Sequence, residues 1–215
     1  EDMHPIYGMP ILLKDNINTA NMPTTAGAAI LENHVPDEDA FVVKQLKEKG
    51  ALILGKVNLS EWAYYFCDGC PVGYSAVGGQ TLNPYGRRIF ETGGSSSGSA
   101  VAVAANYAVA ALGSETSGSI LSPSSQNAIV GLKPTIGLVS RTGIVPISST
   151  LDTSGPMTKS IVDNAILLDA IAAPDAQDAI TKRVPRIMFL TDSCVEPSLP
   201  GVRLGAMTNI LAADS

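Results

Sequence analysis

The chain is 215 residues long, 45% apolar and only 16% charged, with a formal net charge of −6. That length suits one large domain or a large part of one, and the composition fits a well-buried, sheet-containing core, not a disordered or coiled-coil chain. The acidic balance, with no Lys/Arg cluster, argues against nucleic acid as a partner, and no basic stripe flanks an apolar face as a membrane-surface helix would require.

In chain order, Ile11 to Leu13 form a short apolar run that predicts a buried strand ending at Lys14. The segment "PDEDAFVVKQLKEKG" predicts a helix capped by Asp37, with acids in its first turn, Lys47 and Lys49 in its last, and Gly50 closing it. "ALIL", from Ala51, predicts a second buried strand, and strand–helix–strand suggests an α/β layer architecture. Ala100 to Leu112 is the longest near-apolar segment, too short for the roughly 20 residues of a membrane span. Its first half predicts a buried helix with Ser96 or Ser97 near the cap, and its second half a strand returning towards Gly113. "AIVGLKP", "GLVS" and "GIVPI" look like short strands and loops. A further helix follows "GPM", with Ser160 and Asp163 as a capping box and Ile161, Ala165, Leu168 and Ala172 as its apolar stripe. "RIMFL", Arg186 to Leu190, predicts one more strand.

Cys67, Cys70 and Cys194 are an odd number, which does not suggest a disulfide framework; "CDGC" is read as free thiols in a turn, since no second Cys/His pair completes a metal site. "GALILGKV" has the glycine and lysine spacing of a phosphate loop, but Val57 stands where a hydroxyl is needed and "ALIL" favours a strand; a nucleotide site is rejected.

"GGSSSGSA", Gly93 to Ala100, runs directly into an apolar segment, so it reads as a tight turn opening a buried helix and not as a linker. Ser96 sits at the centre of a G-x-S-x-G pattern, yet both histidines, His4 and His34, lie upstream, whereas a nucleophile elbow needs its histidine downstream. The remaining base is lysine. Lys14, at the end of a buried strand, would lose hydration and with it part of its proton affinity, and Ser–Lys pairs are an established substitute for Ser–His–Asp. A second serine turn, "GSETSGSI", offers successive backbone N–H groups that can face one concavity and stabilise an oxyanion.

Together these segments resemble the amidase signature family of Ser–Ser–Lys amidohydrolases. The matching pieces are "GMPILLKDNI", "GALILGKVNLSEWA", "GGQTLNPY", "GGSSSGSA", "GSETSGSI", "GLKPTIGLVS" and "DTSGPM", in the family's order. The resemblance implies an α/β fold with a mixed β-sheet core flanked by helices, incomplete at both ends. It implies a single partial domain over residues 1–215, with the signature core at about 7–172 and 173–215 opening a second half.

By the same resemblance Ser119 is the nucleophile, Ser95 the bridging serine held by a cis peptide, and Lys14 the base; Ser119 lies 24 residues after Ser95, the family spacing. The backbone of Thr116, Ser117, Gly118 and Ser119 corresponds to the oxyanion hole. Gly93, Gly94, Ser96 and Asp152 support the site, and Glu115 joins Asp152 in organising it, although ordinary turn capping would explain both acids equally well. Tyr64, Tyr65 and Trp62 are read as core or pocket wall. No metal or organic cofactor is implied.

The implied activity is cleavage of a carboxamide C–N bond in a small-molecule or peptide amide, through an acyl-enzyme. The motif style is closest to peptide amidases and related small-amide hydrolases. Two features depart from the pattern: Ser117 stands where Gly or Asp is usual and would be strained at positive φ, and Leu121 stands where many members have Arg. Leu121 disfavours the A-type subunit of an amidotransferase. The alternative of a catalytically silent relative, acting as a binding or structural subunit, stays open. So do the oligomeric state and the compartment, with the cytoplasm expected and secretion not addressed by a chain that starts at Glu1.

Overall fold

The computed structural model describes residues 3–66 and 69–183, together with residues 194 and 201. In chain order the elements are strand β1 (Pro10–Lys14), helix α1 (Phe41–Glu48), strand β2 (Leu52–Val57), a hairpin of β3 (Tyr74–Ser75) and β4 (Gly79–Gln80), helix α2 (Ser97–Ala104), strand β5 (Ala110–Glu115), helix α3 (Leu121–Gln126), strands β6 (Val130–Gly131) and β7 (Thr153–Thr158), and helix α4 (Ile161–Ile171). The main sheet runs β2-β1-β5-β7-β6. β1 is parallel to both β2 and β5, whereas β7 is antiparallel to β5 and β6, so the sheet is mixed. The α/β architecture read from the sequence is the one observed.

Period-two alternation along β1 divides its side chains between two layers. Ile11 and Leu13 enter the larger core with Ala110 and Leu112 of β5, Val42, Val43 and Leu46 of α1, and Leu167, Leu168 and Ile171 of α4. Lys14 has the opposite parity. It is on the side where α2 packs and where Ala100, Ile120 and Met157 make a smaller cluster. The residues of α2 are Ser, Gly, Ala and Val, and all but Val101 are buried, which brings this helix close to the strands.

Helix α1 ends as predicted. Gly50, at φ +82°, donates to the Lys47 carbonyl at 3.0 Å and Ala51 to that of Leu46 at 3.0 Å, the paired bonds of a Schellman close. Its start differs. The helix begins after Ala40, with no side-chain cap and no acid in the first turn. Asp37 is too far upstream, and the Phe41 N–H is satisfied by the Thr142 carbonyl at 3.1 Å, so a tertiary partner replaces the cap. Asp39 instead pairs with Lys47 at 2.6 Å.

The second predicted strand forms but is not buried: Leu52 and Leu54 are 55% and 53% exposed. β2 lies at the sheet edge, and its register jumps from Ile53 to Gly55 against Ile11 and Leu12, leaving Leu54 as a bulge that spoils the edge for further pairing. The same strand holds the rejected phosphate-loop sequence, whose Lys56 bonds Thr24 Oγ1 at 2.8 Å and faces Asp15 at 3.3 Å.

The long apolar segment divides as expected, α2 turning through Asn106 at φ +64° into β5. "GLVS" and "GIVPI" make no strand, only a single bridge between Ile17 and Ile144. In α4, Ser160 Oγ accepts from the Asp163 N–H at 3.1 Å and donates to the Asp163 carboxylate at 2.7 Å. The apolar stripe is rotated from the expected one: Ala165 and Leu168 are buried with Leu167 and Ile171, but Ile161, at the first position of the helix, is exposed. Cys70 is disulfide-bonded, which corrects the reading of "CDGC" as free thiols. The strand predicted at 186–190 lies outside the described residues. Among the described residues no helix is long and apolar enough to cross a membrane.

Ser160→Ala removes the one side-chain cap of α4. It is expected to lower unfolding stability by about 1 kcal/mol in urea titration, with no change in the slope of the transition.

Candidate active site

Lys14 is the last residue of β1 and is completely buried. Its Nζ lies 2.7 Å from Ser95 Oγ and donates to the Ser114 carbonyl at 3.1 Å. Burial strips water from the amine and lowers its pKa from 10.5 to about 7, the nearby Glu115 and Asp152 charges opposing the shift without cancelling it.

Ser95 is reached by the chain through Gly93 and Gly94, and the Gly94–Ser95 peptide is cis. Gly93 has φ +62°, and a Cβ there would fall 2.7 Å from the Pro123 backbone; no other residue fits. Ser60 accepts from the Gly73 N–H at 2.9 Å and gives its own N–H to the Ser95 carbonyl at 3.0 Å, fixing the turn from the opposite side. Ser96 is the N-cap residue of α2 but does not cap it. Its hydroxyl is spent on β5, donating to the Ser114 carbonyl at 3.1 Å and accepting from the Ser114 N–H at 3.3 Å.

Ser119 follows β5 in the turn leading to α3. It lines, with Ser95, Ser114, Thr116 and Asp152, a cavity of about 270 Å³. Its carbonyl accepts from the Ser96 N–H at 3.1 Å, tying the two serine turns together. The Glu115 carboxylate is buried inside the loop and accepts from the N–H groups of Gly118, Ile120 and Leu121 at 2.8, 2.7 and 3.0 Å. Gly118 N–H is therefore committed to Glu115, and the N–H groups of Thr116, Ser117 and Ser119 are the ones left without a partner among the described residues. Lys133 Nζ donates to the Thr116 carbonyl at 2.6 Å and stands 3.7 Å from Glu115. Asp152 accepts from Thr116 Oγ1 and from the N–H groups of Ile147 and Ser148 at 2.7 and 2.9 Å. Gly118 takes φ +79°, whereas Ser117 is not at positive φ, so the strain anticipated for a serine there does not arise.

Three features in or beside the pocket are not legible in the sequence as site residues. Asn16 lines it; its Nδ2 donates to Ser114 Oγ at 2.8 Å and its buried Oδ1 has no partner among the described residues. Arg141 and Asp178 form part of the wall and are joined at 2.6 Å. Lys133, which stands behind the loop and does not line the pocket, comes from "GLKP", part of a family-matching segment that gave this lysine no role. A buried asparagine two residues after a buried lysine is a usable signal; the Arg141–Asp178 pair, 37 residues apart, leaves none. Among the described residues no group of three His, Cys, Asp or Glu side chains could hold a metal ion.

The amidase family model matches residues 1–214. The chain belongs to the amidase family. It is 48% identical over 208 residues to a probable amidase of Arabidopsis thaliana, covering 93% of this chain and 40% of that protein. It is 45% identical over 212 residues to a glutamyl-tRNA(Gln) amidotransferase subunit of Symbiobacterium thermophilum, covering 98% and 41%. Among solved structures, the native peptide amidase from Stenotrophomonas maltophilia superposes with a TM-score of 0.82 at 53% identity, over 85% of this chain and 37% of that one. An amidase family protein from Bacillus anthracis gives 0.84 at 50%, over 87% and 38%. This amidase-family chain thus spans about 40% of the length of the curated relatives it matches.

The depressed Lys14 pKa has a consequence for stability. Between about pH 7 and 10.5 the unfolded chain binds a proton at Lys14 that the folded chain does not, so unfolding free energy should rise with pH across that window. Lys14→Met, which buries similar volume without a titrating amine, is expected to flatten this rise in denaturant titrations at pH 7, 8.5 and 10.

Proposed function

We propose that this chain carries the catalytic groups of an amidohydrolase that cleaves a carboxamide C–N bond, giving a carboxylate and ammonia or an amine. The single observation that carries the reading is a fully buried Lys14 amine, with its pKa brought to about 7, lying 2.7 Å from Ser95 Oγ. Family membership and the likeness to a peptide amidase support it.

In this mechanism neutral Lys14 accepts the Ser95 proton while Ser95 takes the proton of Ser119 Oγ, which attacks the carbonyl carbon. The negative charge developing on the carbonyl oxygen is met by backbone N–H groups of Thr116, Ser117 and Ser119. As the tetrahedral species collapses, the C–N bond breaks and the relay returns the proton to the departing nitrogen. Water then adds to the resulting ester by the reverse route and releases Ser119. Glu115, holding three N–H groups of the loop, and Asp152, holding two, position the backbone; neither exchanges a proton.

A second reading, in which the chain hydrolyses an amide as part of a larger assembly, is favoured by the 45% identity to a component of an amidotransferase. The exposed Leu121 is the residue that disfavours it.

Ser119→Ala is expected to abolish covalent labelling by a fluorophosphonate, with Ser96→Ala keeping it at a rate within a few-fold; equal labelling of parent and Ser119→Ala would remove Ser119 from its role. The labelling rate should climb with pH through a midpoint near 7, because only the deprotonated amine acts as base. Lys14→Met should lose that limb and most of the rate.

A further inference from the structure

The loop after β5 presents three N–H groups without a partner among the described residues, those of Thr116, Ser117 and Ser119. An amide N–H is conjugated with the carbonyl of the preceding residue, and in a trans peptide the two point in opposite directions. What that carbonyl meets behind the loop therefore bears on how strongly the N–H donates in front of it. The Ser119 N–H shares its peptide with the Gly118 carbonyl, which accepts from the Ser122 N–H of α3 at 2.7 Å. The Ser117 N–H shares its peptide with the Thr116 carbonyl, which accepts from Lys133 Nζ at 2.6 Å. Two of the three open donors are thus engaged from behind, one by a neutral amide and one by a cation.

The cation is well placed to act through the peptide. Among the described residues the only cis bond is Gly94–Ser95, so the Thr116–Ser117 peptide is trans and its N–H is directed away from Lys133. Thr116 borders the catalytic cavity, and Lys133 does not. The Glu115 carboxylate stands 3.7 Å from the ammonium but is already occupied by three N–H groups of the loop, so the short bond of Lys133 goes to the neutral carbonyl. The lysine side chain is only 26% exposed, which leaves its charge incompletely screened by solvent. A hydrogen bond from an ionised donor is roughly twice as strong as one between neutral groups.

We propose that Lys133 is a positioning residue that acts through the Thr116–Ser117 peptide, drawing electron density towards its carbonyl and making the Ser117 N–H a stronger donor to the oxyanion. The inference rests on the amidohydrolase reading and adds to it a group behind the loop that tunes one donor of the oxyanion hole. No bond forms or breaks at Lys133, and no proton leaves it. Because the benefit grows as negative charge develops, it belongs to the rate of attack and not to ground-state binding.

Three variants separate the charge from the hydrogen bond. Lys133→Met removes both, Lys133→Gln keeps an N–H donor without charge, and Lys133→Arg keeps both. Fluorophosphonate labelling at pH 9, above the Lys14 midpoint near 7, holds Lys14 protonation out of the comparison. The saturating rate should fall about tenfold in the Met and Gln variants, with the half-saturating concentration held within a few-fold, and the Arg variant should keep the parent rate. A second readout needs no reaction. The Ser117 amide nitrogen NMR resonance is deshielded when the carbonyl of its own peptide is hydrogen-bonded, so it should move upfield in the Met and Gln variants and stay in place in the Arg variant. Where Lys133→Met does not fold, Lys133→Gln carries both readouts. A Gln variant as fast as the parent, an Arg variant as slow as Gln, a loss confined to the half-saturating concentration, or an unmoved Ser117 resonance would each overturn the role of Lys133. With Ser119 labelled in the parent, those results overturn that role alone. A parent labelled no faster than Ser119→Ala overturns the hydrolase reading and this role with it.

Discussion

An amine without water is the condition on which this architecture turns. Lys14 could satisfy its hydration by pointing outward, as a lysine at a strand end ordinarily does, but β1 is the second strand of the sheet, flanked on both sides. Alternation along the strand aims its side chain into the layer between the sheet and α2, where, among the described residues, Ser95 Oγ and the Ser114 carbonyl receive it. Desolvation is costly to the charged form and cheap to the neutral one, so placement alone shifts this amine towards its neutral form.

That placement depends on thin walls. The serine turn approaches Lys14 closely because α2 is built from small residues and because glycine stands at positions 93 and 94, where a side chain would strike Pro123 or Ser60. Hydroxyls substitute for bulk: Ser96 and Ser99 bond the β5 carbonyls of Ser114 and Leu112 at 3.1 and 3.0 Å, so helix and strand are joined by polar contacts at a spacing that larger apolar side chains would not allow. The consequence is a helix that begins without a side-chain cap. The same hydroxyl cannot serve both ends.

Much of this is legible in the sequence because it is local. Lys14 at the end of an apolar run, the paired glycines before Ser95 and the Gly50 close of α1 are each decided by a few neighbouring residues, and the family motifs fix their order. Contacts made across the chain are not legible. Asp37 has the chemistry of a cap, but the Thr142 carbonyl supplies the partner from a distance. "ALIL" has the composition of a buried strand, yet nothing in four apolar residues states whether a strand has one neighbour or two. The rotation of the α4 stripe and the Arg141–Asp178 pair are likewise set by what lies opposite in space.

The loop that follows β5 wraps three amides around a single buried carboxylate, and this has an electrical side. The Glu115 and Asp152 carboxylates both border the pocket in which, under the mechanism proposed above, an oxyanion would form. Lys133, reaching in from the loop after β6 to the Thr116 carbonyl, stands 3.7 Å from Glu115. Under that mechanism, a loop whose outline is drawn by a carboxylate would owe its tolerance of an oxyanion to a lysine standing outside the pocket lining.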